Sequence, residues 1–431
     1  MVLIALAVVV AVAGSALGAD TVVLDLPACL AAARQEAPRR VEAAALQTQV
    51  AAAAREVAAA TKPLVSVAAT GRYTSEVMER ALGVGPAAPV LRFGDGRAAD
   101  LTIGAGLPLY TGGELQRQHQ AASLAVASAT QRQAAVDLDI ARDTRCAYCL
   151  SLGRQAQLRA ARLAVERLER HARELAQAAS AGGATEEAQL RVLIRLREAQ
   201  GRQVQAAAAL DSAGLALGRL VGDPGAIVLA DGGLEASLLA TIADADLGVG
   251  RVRQRPDIAA AQAEIERQEA LVQAVQARFR PRVAAEMRGH YGRPGVDQIA
   301  NDWTPYLTAG LILDWPLWDA GARREQLGQA RARVVQARAR GDELLRTLLA
   351  AHAMAGAELA AANRAADLAR EQEGLQARLC DLVRVRLRGA AATQSEYLDA
   401  TEDLAGAQTG TAVAQTRVRL AEAVLLWTLG Y

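Results

Sequence analysis

The chain has 431 residues, of which 52% are hydrophobic and 22% charged, and its formal net charge is +1. A nearly neutral chain lacks the basic face that a nucleic-acid-binding protein needs, so we expect no nucleic-acid partner. Aromatic residues make up only 3% of the chain, while Ala is abundant. Because Ala favours helix and fills little volume, this composition predicts long helices packed side by side and not one thick core.

The N-terminus predicts export. Residues 2–13 form an apolar run of the length of a signal-peptide core, which is too short for a membrane-spanning helix. Small residues at Ala16 and Gly18 then suit cleavage after Gly18. We therefore assign residues 1–18 to a signal peptide and expect no transmembrane α-helix in the rest of the chain.

The chain repeats itself at long range. Residues 63–73 read PLVSVAATGRY and residues 281–291 read PRVAAEMRGHY, with Pro first, Gly ninth and Tyr eleventh in both. The turn PLYTGG at 108–113 is likewise matched by PLWDAG at 316–321. We predict two homologous repeats, 19–225 and 251–431, and a Gly/Asp-rich connector at 222–250.

Four segments alternate between apolar and other residues, as half-buried strands do: 63–73, 100–109, 281–291 and 306–317. Each is about 10–12 residues long, which a tilted strand needs to cross a bilayer. We predict that one face lines a wet barrel lumen through Arg72, Arg282, Glu286, Arg288 and His290. Since a closed barrel of useful bore needs eight or more strands, the barrel must be shared between copies, and three copies would supply twelve strands.

The rest of the sequence is helical in pattern. Residues 113–179 and 322–387 carry small or apolar residues at spacings of 3, 4 and 7, as coiled coils do. Each would form a rod about 100 Å long. Shorter helices are predicted at about 25–61, 185–220, 255–279 and 392–428. We expect Gly112, Gly113 and Gly321 to permit the turns from strand to helix.

No residue pattern indicates an enzyme, a metal site or a cofactor site. The four His residues are scattered, and Cys146 and Cys149 form a CxxC inside a helical pattern, where packing is the simpler role. Cys29 follows a poor lipobox, so lipidation there stays open. Arg255, Pro256 and Asp257 read as a helix start, with Pro and an acidic residue in the first turn.

The sequence resembles the TolC-type outer-membrane efflux proteins over essentially the whole mature chain. The segments that carry the resemblance are LDLPACLAAARQEAP near the N-terminus, LALGRLVG at 215–222, RQRPDIAAAQAEI at 253–265, the twin strand-to-helix turns, and RLRGAAATQSEYLDA at 386–400. The resemblance implies an α+β membrane protein: a homotrimeric, 12-stranded β-barrel with four strands per protomer, continued by a periplasmic α-helical coiled-coil barrel. It implies contact with outer-membrane lipid, a periplasmic membrane-fusion adaptor and an inner-membrane transporter of the RND or ABC type.

The resemblance also assigns a periplasmic gate. Glu396 and Asp399 match positions where family members carry acidic rings, although the match needs a one-residue slip at Gly389. Glu186 and Glu187 occupy the corresponding turn of the first repeat. A ring of carboxylates attracts cations, but acidic residues also complement a helix N-terminus, so both roles stay open. Gly in the turns that hold Gly182, Gly183, Arg388 and Gly389 is expected to permit the reversal from helix to helix. These turns are also expected to contact the adaptor.

The function predicted from these features is a passive, gated duct of a Gram-negative tripartite efflux system that exports small molecules. Two alternatives stay open: a type I protein-secretion outlet, and a periplasmic coiled-coil scaffold without a barrel. The sequence does not indicate the cargo.

Overall fold

A computed structural model describes residues 23–83, 90–92, 96–180, 185–223, 228–229, 233–241, 248–297, 302–389 and 391–431. The predicted signal peptide, Gly182 and Gly183 lie outside the described residues, as does much of the predicted connector at 222–250.

The chain is mainly helical and carries one four-stranded sheet. In chain order the elements are β1 (Val23–Leu24), α1 (Leu26–Glu36), α2 (Pro38–Ala59), β2 (Leu64–Tyr73), β3 (Glu79–Ala81), β4 (Val90–Arg92), β5 (Arg97–Tyr110), α3 (Glu114–Ser180), α4 (Glu186–Val221), β6 (Val228–Leu229), a 3-10 turn (Leu239–Thr241), α5 (Val249–Arg253), α6 (Pro256–Ala277), β7 (Arg282–Arg293), β8 (Thr304–Asp314), α7 (Ala322–Arg388) and α8 (Gln394–Leu429).

Five of the six predicted helical stretches have bounds within two residues of the observed ones. The exception is 25–61, which is broken at Ala37 into α1 and α2. Ala37 adopts extended backbone angles, φ −66° and ψ 117°. The residue before a proline is pushed out of the helical region by the proline ring, so Pro38 ends α1 and begins α2.

The chain divides into two compact units. Unit 1 comprises Met1–Arg40, Asp137–Val252 and Leu349–Tyr431, and unit 2 comprises Val41–Val136 and Arg253–Leu348. Each unit therefore takes segments from both of the repeats that the sequence predicts.

Buried contacts in unit 1 join α3, α4, α7 and α8. One apolar cluster contains Val165, Leu168, Val192, Leu196, Ala199 and Leu398. A second contains Cys380, Val383, Tyr397, Ala400 and Leu404. Leu, Val and Tyr side chains supply most of this packing, and the small residues Ala199, Ala400 and Cys380 lie among them.

The C-terminal part of α8 holds a nearby loop of unit 1 through a buried ion pair. Arg419 contacts Glu422 at 2.6 Å, and both side chains are buried. Arg419 also donates to the carbonyl oxygen of Leu234, while Glu422 accepts from the backbone N–H of Leu238. Because both charges are paired and hydrogen-bonded, removing one partner would leave the other buried without compensation.

In unit 2, β2, β5, β7 and β8 form one antiparallel sheet in that order. The four predicted strands are thus present, with one correction. The segment 306–317 was expected to continue through Trp315 and Leu317, but β8 ends at Asp314. Pro316 has no N–H to donate to a strand ladder, which explains the early end.

Glycines in left-handed conformation turn the strands into the following helices. Gly112 and Gly113 have φ of 65° and 91°, and Gly321 has φ of 90°. A Cβ at Gly112 would also lie 2.6 Å from the Cβ of Arg280, so side chains are excluded there on two grounds. This confirms the predicted use of these glycines.

The start of α6 also follows the prediction. Pro256 opens the helix and Asp257 lies in its first turn. Arg255, whose side chain is only 1% exposed, contacts Asp257 at 2.9 Å. The RPD segment is therefore a structural helix start.

Among the described helices, none has a stretch long and apolar enough to cross a lipid bilayer.

Candidate functional site

Two helices of unit 1, α4 and α8, begin with side-chain caps. Thr185 accepts a hydrogen bond from the backbone N–H of Ala188 at 3.3 Å. Thr393 accepts from the N–H of Glu396 at 3.2 Å, and the carboxylate of Glu396 accepts from the N–H of Thr393 at 3.0 Å. This reciprocal pair is a capping box, so one predicted gate residue also stabilises the start of its own helix.

Arg195 links α4 to α8 at the centre of a charged cluster. Its Nη1 atom lies 2.9 Å from Oε2 of Glu402 and 3.1 Å from Oε2 of Glu198. Its Nη2 atom lies 3.9 Å from Oδ1 of Asp399. Arg202, two turns along α4, approaches the other oxygen of Glu402 at 3.6 Å. We call these five residues the α4–α8 ionic cluster.

The electrostatics of this cluster favour the charged form of its central arginine. The hydrogen bond to Glu198 and the negative charges of Glu402 and Asp399 raise the pKa of Arg195 above its ordinary value. All five side chains are open to water, and Asp399 is 64% exposed. Exposed ion pairs of this kind contribute about 0–1 kcal/mol each and weaken as salt is added. The cluster can therefore separate without disrupting the fold.

The four acidic residues predicted for the gate do not meet within one chain. Asp399 faces Arg195, whereas Glu396 is engaged in its capping box. Glu187 pairs with Arg191 on its own helix at 2.6 Å. Glu186 is exposed in the first turn of α4.

The turn between α7 and α8 is closed by arginines. Arg386 donates from Nη2 to the carbonyl oxygen of Ala391 at 2.9 Å, and Arg388 lies 3.8 Å from Glu174 of α3. Gly389, expected to allow the reversal, does not adopt a positive φ, and a Cβ there would meet nothing closer than 3.7 Å. Its lack of a side chain is therefore not what permits this turn.

A buried histidine lies beside these helix ends. The side chain of His171 is only 8% exposed, contacts the amide nitrogen of Gln394, and meets the ring of Tyr397 edge-on at 4.6 Å. Burial lowers the pKa of His171, although the nearby charge of Glu174 acts in the opposite direction. His171 is therefore neutral at pH 7.

Sequence reasoning missed Arg195, Glu198, Arg202, Glu402 and His171. A signal for the first four was present. Arg195, Glu198 and Arg202 are spaced by 3 and 4, which places them on one helix face, and Asp399 and Glu402 are spaced by 3. Two such faces of complementary charge predict an interhelical ionic cluster once the two helices are taken as neighbours.

In unit 2, the residues predicted to line a lumen lie on one face of the sheet. The register aligns Ser66, Gly104, Arg288 and Thr308 across the four strands, and Ala68, Thr102, His290 and Tyr306 in the next row. The other predicted lumen residues, Arg72, Arg282 and Glu286, share this face because side chains alternate along a strand.

Hydrogen bonds between and within strands hold the polar face together. His290 Nδ1 on β7 lies 3.1 Å from Asp100 Oδ2 on β5, and the His290 ring stacks on Tyr306 of β8. Within β5, Thr102 donates to Asp100 at 2.7 Å, and its hydroxyl oxygen also lies 3.3 Å from Nδ1 of His290. Within β7, Arg288 pairs with Glu286 at 2.6 Å. Such a network is suited to contact with water, which can hydrate the remaining polar atoms.

The opposite face of the sheet is apolar and exposed. Its large side chains are Val65, Val67, Leu101, Ile103, Met287, Leu307, Leu311 and Leu313. A continuous apolar sheet face of this size is unusual for a protein surface in water. It marks a site that contacts another apolar surface.

Residues 252–430 match the sequence model of the outer membrane efflux protein family. This segment belongs to that family. The family resemblance predicted from the sequence is therefore confirmed.

Among the described residues, no three His, Cys, Asp or Glu side chains are grouped as a metal site would require.

Several solved outer membrane channels share this fold along nearly all of their length. CusC matches with a TM-score of 0.78 at 16% identity, over 95% of this chain and 92% of CusC. VceC, an outer membrane protein of Vibrio cholerae, matches with 0.75 at 21% identity, over 94% and 96%. The MtrE outer membrane channel of Neisseria gonorrhoeae, in its open state, matches with 0.75 at 17% identity, over 94% and 88%. No curated protein sequence matches the chain.

Proposed function

We propose that this chain is one protomer of a homotrimeric duct that crosses the outer membrane and extends into the periplasm. The duct is passive: cargo moves along a path that partner proteins open and energise. The cargo is of small-molecule size, and the energy comes from an inner-membrane transporter.

The single observation that carries this proposal is the four-stranded sheet of unit 2. One face is apolar and exposed, and the other is polar and hydrogen-bonded across strands β5 and β7. That pattern is typical of a transmembrane barrel wall, with lipid on one side and water on the other. A periplasmic scaffold without a barrel has no need of such a sheet.

The edges of the sheet support sharing between copies. Among the described residues, β2 and β8 each pair with a single neighbour, so each leaves one edge open. An open edge exposes backbone N–H and C=O groups, which cannot remain unpaired inside a bilayer. Since strand directions alternate across the sheet, β8 of one copy can join β2 of the next in antiparallel fashion. Three copies give a closed barrel of twelve strands.

The paired lengths of the helices support two repeats. The helices that follow the two strand pairs, α3 and α7, both have 67 residues, and α4 and α8 both have 36. Internal duplication is the simplest source of this match.

The family supports two further partners. Channels such as these serve tripartite systems, so a periplasmic membrane-fusion adaptor and an inner-membrane transporter of the RND or ABC type are the expected partners. We place the adaptor contact at the turns that contain Gly182, Gly183, Arg388 and Gly389.

We further propose that the acidic residues near the starts of α4 and α8 control passage at the periplasmic end. In a trimer, Glu396 and Asp399 supply six carboxylates, and Glu186 and Glu187 add to the same negative field. The α4–α8 ionic cluster holds Asp399 in place. Separation of the weak ion pairs around Arg195 is the step that allows the helices to move apart.

The experiment that tests the duct is membrane fractionation combined with mass measurement. We expect the full-length protein in the outer-membrane fraction and, after detergent extraction, at three times the mass of a processed protomer. Recovery as a soluble periplasmic monomer would contradict the proposal.

A further inference from the structure

A cavity of about 660 Å³ lies in unit 2 between helices α3, α6 and α7. Four arginines and two acidic residues supply its charges: Arg132, Arg267, Arg333, Arg340, Asp257 and Glu264. Small residues also line it: Ala260, Ala261, Ala337 and Gly341. We call this cavity the arginine groove.

Both carboxylates in the groove already have cationic partners. Asp257 contacts Arg255 at 2.9 Å and accepts from the backbone N–H of Ile258 at 3.1 Å. Glu264 accepts from Arg267 and from the side-chain amide of Gln268, both at 2.8 Å. These contacts leave neither acid free to neutralise the remaining arginines.

Three guanidinium groups remain. In the part of the chain that the structure describes, Arg132, Arg333 and Arg340 form no ion pair, and all three are exposed to solvent. The charge of one of them, Arg132, acts on Glu264. Burial alone would raise its pKa, yet the hydrogen bonds from Arg267 and Gln268 and the charges of Arg267 and Arg132 hold it below its ordinary value.

A groove with unpaired arginines favours an anionic ligand. The guanidinium group presents several N–H donors in a plane, which match the oxygens of carboxylate, sulfonate and phosphate groups. The side chains of Gln268 and Gln336 add neutral hydrogen-bonding groups to the lining. The volume lies within the range of about 300–1,000 Å³ that is usual for sites of drug-sized ligands.

We propose that the arginine groove binds organic anions of drug size that carry two or more negative groups. Arg333 and Arg340 are two turns apart on α7, and Arg132 of α3 lines the same groove. A ligand with separated anionic groups can therefore contact arginines of both helices. The biological setting rests on the proposed duct function, in which an exported anionic compound is the ligand that reaches this groove.

Binding of a trisulfonated dye tests this proposal. The probe is pyranine, which carries three sulfonate groups on an aromatic frame, titrated against the full-length detergent-extracted protein by fluorescence anisotropy. Arg333→Ala combined with Arg340→Ala should weaken pyranine binding by about tenfold or more, because it removes two of the three unpaired guanidinium groups available to the sulfonates. Binding by the unmodified protein should also weaken as salt is added.

The matched control removes two arginines from the same helix outside the groove. Arg331 and Arg338 lie two residues before Arg333 and Arg340, are also exposed, and line a separate shallow cavity that includes Glu269. Arg331→Ala combined with Arg338→Ala should leave pyranine affinity unchanged, although it changes net charge by the same amount.

Three outcomes would overturn the proposal. The first is that the unmodified protein does not bind pyranine, and the second is that both double variants lose pyranine affinity equally. The third is that Arg333→Ala combined with Arg340→Ala no longer has the mass of a trimer. That result would mean that these arginines pair with acidic side chains of a second copy. Bilayer conductance of the same samples separates this proposal from the duct. Normal conductance without pyranine binding rejects only the groove, and binding without conductance rejects only the duct.

Discussion

Arg195 of α4 and Glu402 of α8 form an ion pair of 2.9 Å that joins two helices of unit 1. Both side chains are partly open to water, so the pair holds the helices together weakly and in a salt-dependent way. This combination suits a contact that must break and re-form. It also makes the contact accessible to single substitutions that leave the fold intact.

Arg195→Ala should increase channel opening. The substitution removes the ion pairs to Glu402 and Glu198 and leaves Asp399 without its cation. Since each exposed pair is worth about 1 kcal/mol or less, the melting temperature should change little. Single-channel recording should show a larger fraction of time in high-conductance states.

Arg191→Ala is the control for Arg195→Ala. Arg191 lies one turn earlier on α4 and is also paired, but its partner Glu187 belongs to the same helix. We expect the conductance of this variant to match that of the unmodified protein. An equal increase in both variants would mean that lost positive charge, and not the link to α8, opens the channel.

Two substitutions of Glu396 separate its role in helix capping from its proposed role as a charge at the gate. Glu396→Gln keeps a side chain that can accept from the N–H of Thr393, whereas Glu396→Ala loses the capping box, at a cost of about 1 kcal/mol. If Glu396 also acts through its charge, Glu396→Gln combined with Asp399→Asn should lower cation preference, measured as a reversal potential in a salt gradient.

Thermal melting completes the test of Glu396. The glutamine variant should have the melting temperature of the unmodified protein, and the alanine variant should have a lower one. A glutamine variant with unchanged stability and unchanged cation preference would assign Glu396 to helix capping alone.

Much of this site follows from local sequence rules, whereas the part that joins helices does not. Thr393 and Glu396 have the spacing of a capping box, and Pro256 with Asp257 has that of a helix start. The contact of Arg195 with Glu402 joins residues far apart in the chain. It depends on which helices are neighbours, and the spacing of charges along one helix does not specify that.

The sheet shows the same division. Alternation along each strand predicts the two faces, because side chains of a strand point alternately to opposite sides. The pairing of Asp100 with His290 depends on the register between β5 and β7. That register is set by strand packing, so the sequence places both residues on the polar face without bringing them together.

Gly153→Ala should destabilise the protein. Replacing an exposed Gly inside a helix by Ala usually stabilises the folded protein by about 1 kcal/mol. At Gly153, however, a Cβ would lie 2.2 Å from the hydroxyl oxygen of Thr416. Overpacking of this kind costs about 1–3 kcal/mol. We expect a lower melting temperature for the variant.

Two further variants test the Gly153 contact. Adding Thr416→Ala to Gly153→Ala removes the closest atoms and should recover part of the lost stability. Gly201→Ala on α4, where a Cβ meets nothing within 4 Å, should be neutral or stabilising. If the melting temperature of Gly153→Ala is not lower than that of Gly201→Ala, the result would contradict the close approach of α3 and α8 at Gly153.

Two buried thiols should make stability fall at alkaline pH. Burial raises the pKa of Cys149 from 9.0 to about 12 and that of Cys29 from 9.0 to about 11. Between pH 9 and these values the unfolded thiols ionise while the folded thiols keep their protons. The folded state then binds more protons, so the free energy of unfolding falls as pH rises.

The measurement is melting temperature against pH for the unmodified protein and for Cys29→Ala combined with Cys149→Ala. The double variant should lose less stability above pH 9. Alkylation by iodoacetamide at pH 8 should also be slow until the protein unfolds. Rapid alkylation of Cys149 in the folded protein would contradict its burial.

The central claim, that this chain forms a membrane duct, is tested most directly by planar-bilayer recording of the purified full-length protein. We predict discrete conductance steps with a preference for cations, because the proposed duct has the acidic residues near the starts of α4 and α8 around its passage. Insertion without conductance steps, or failure to insert into the bilayer at all, would contradict the claim.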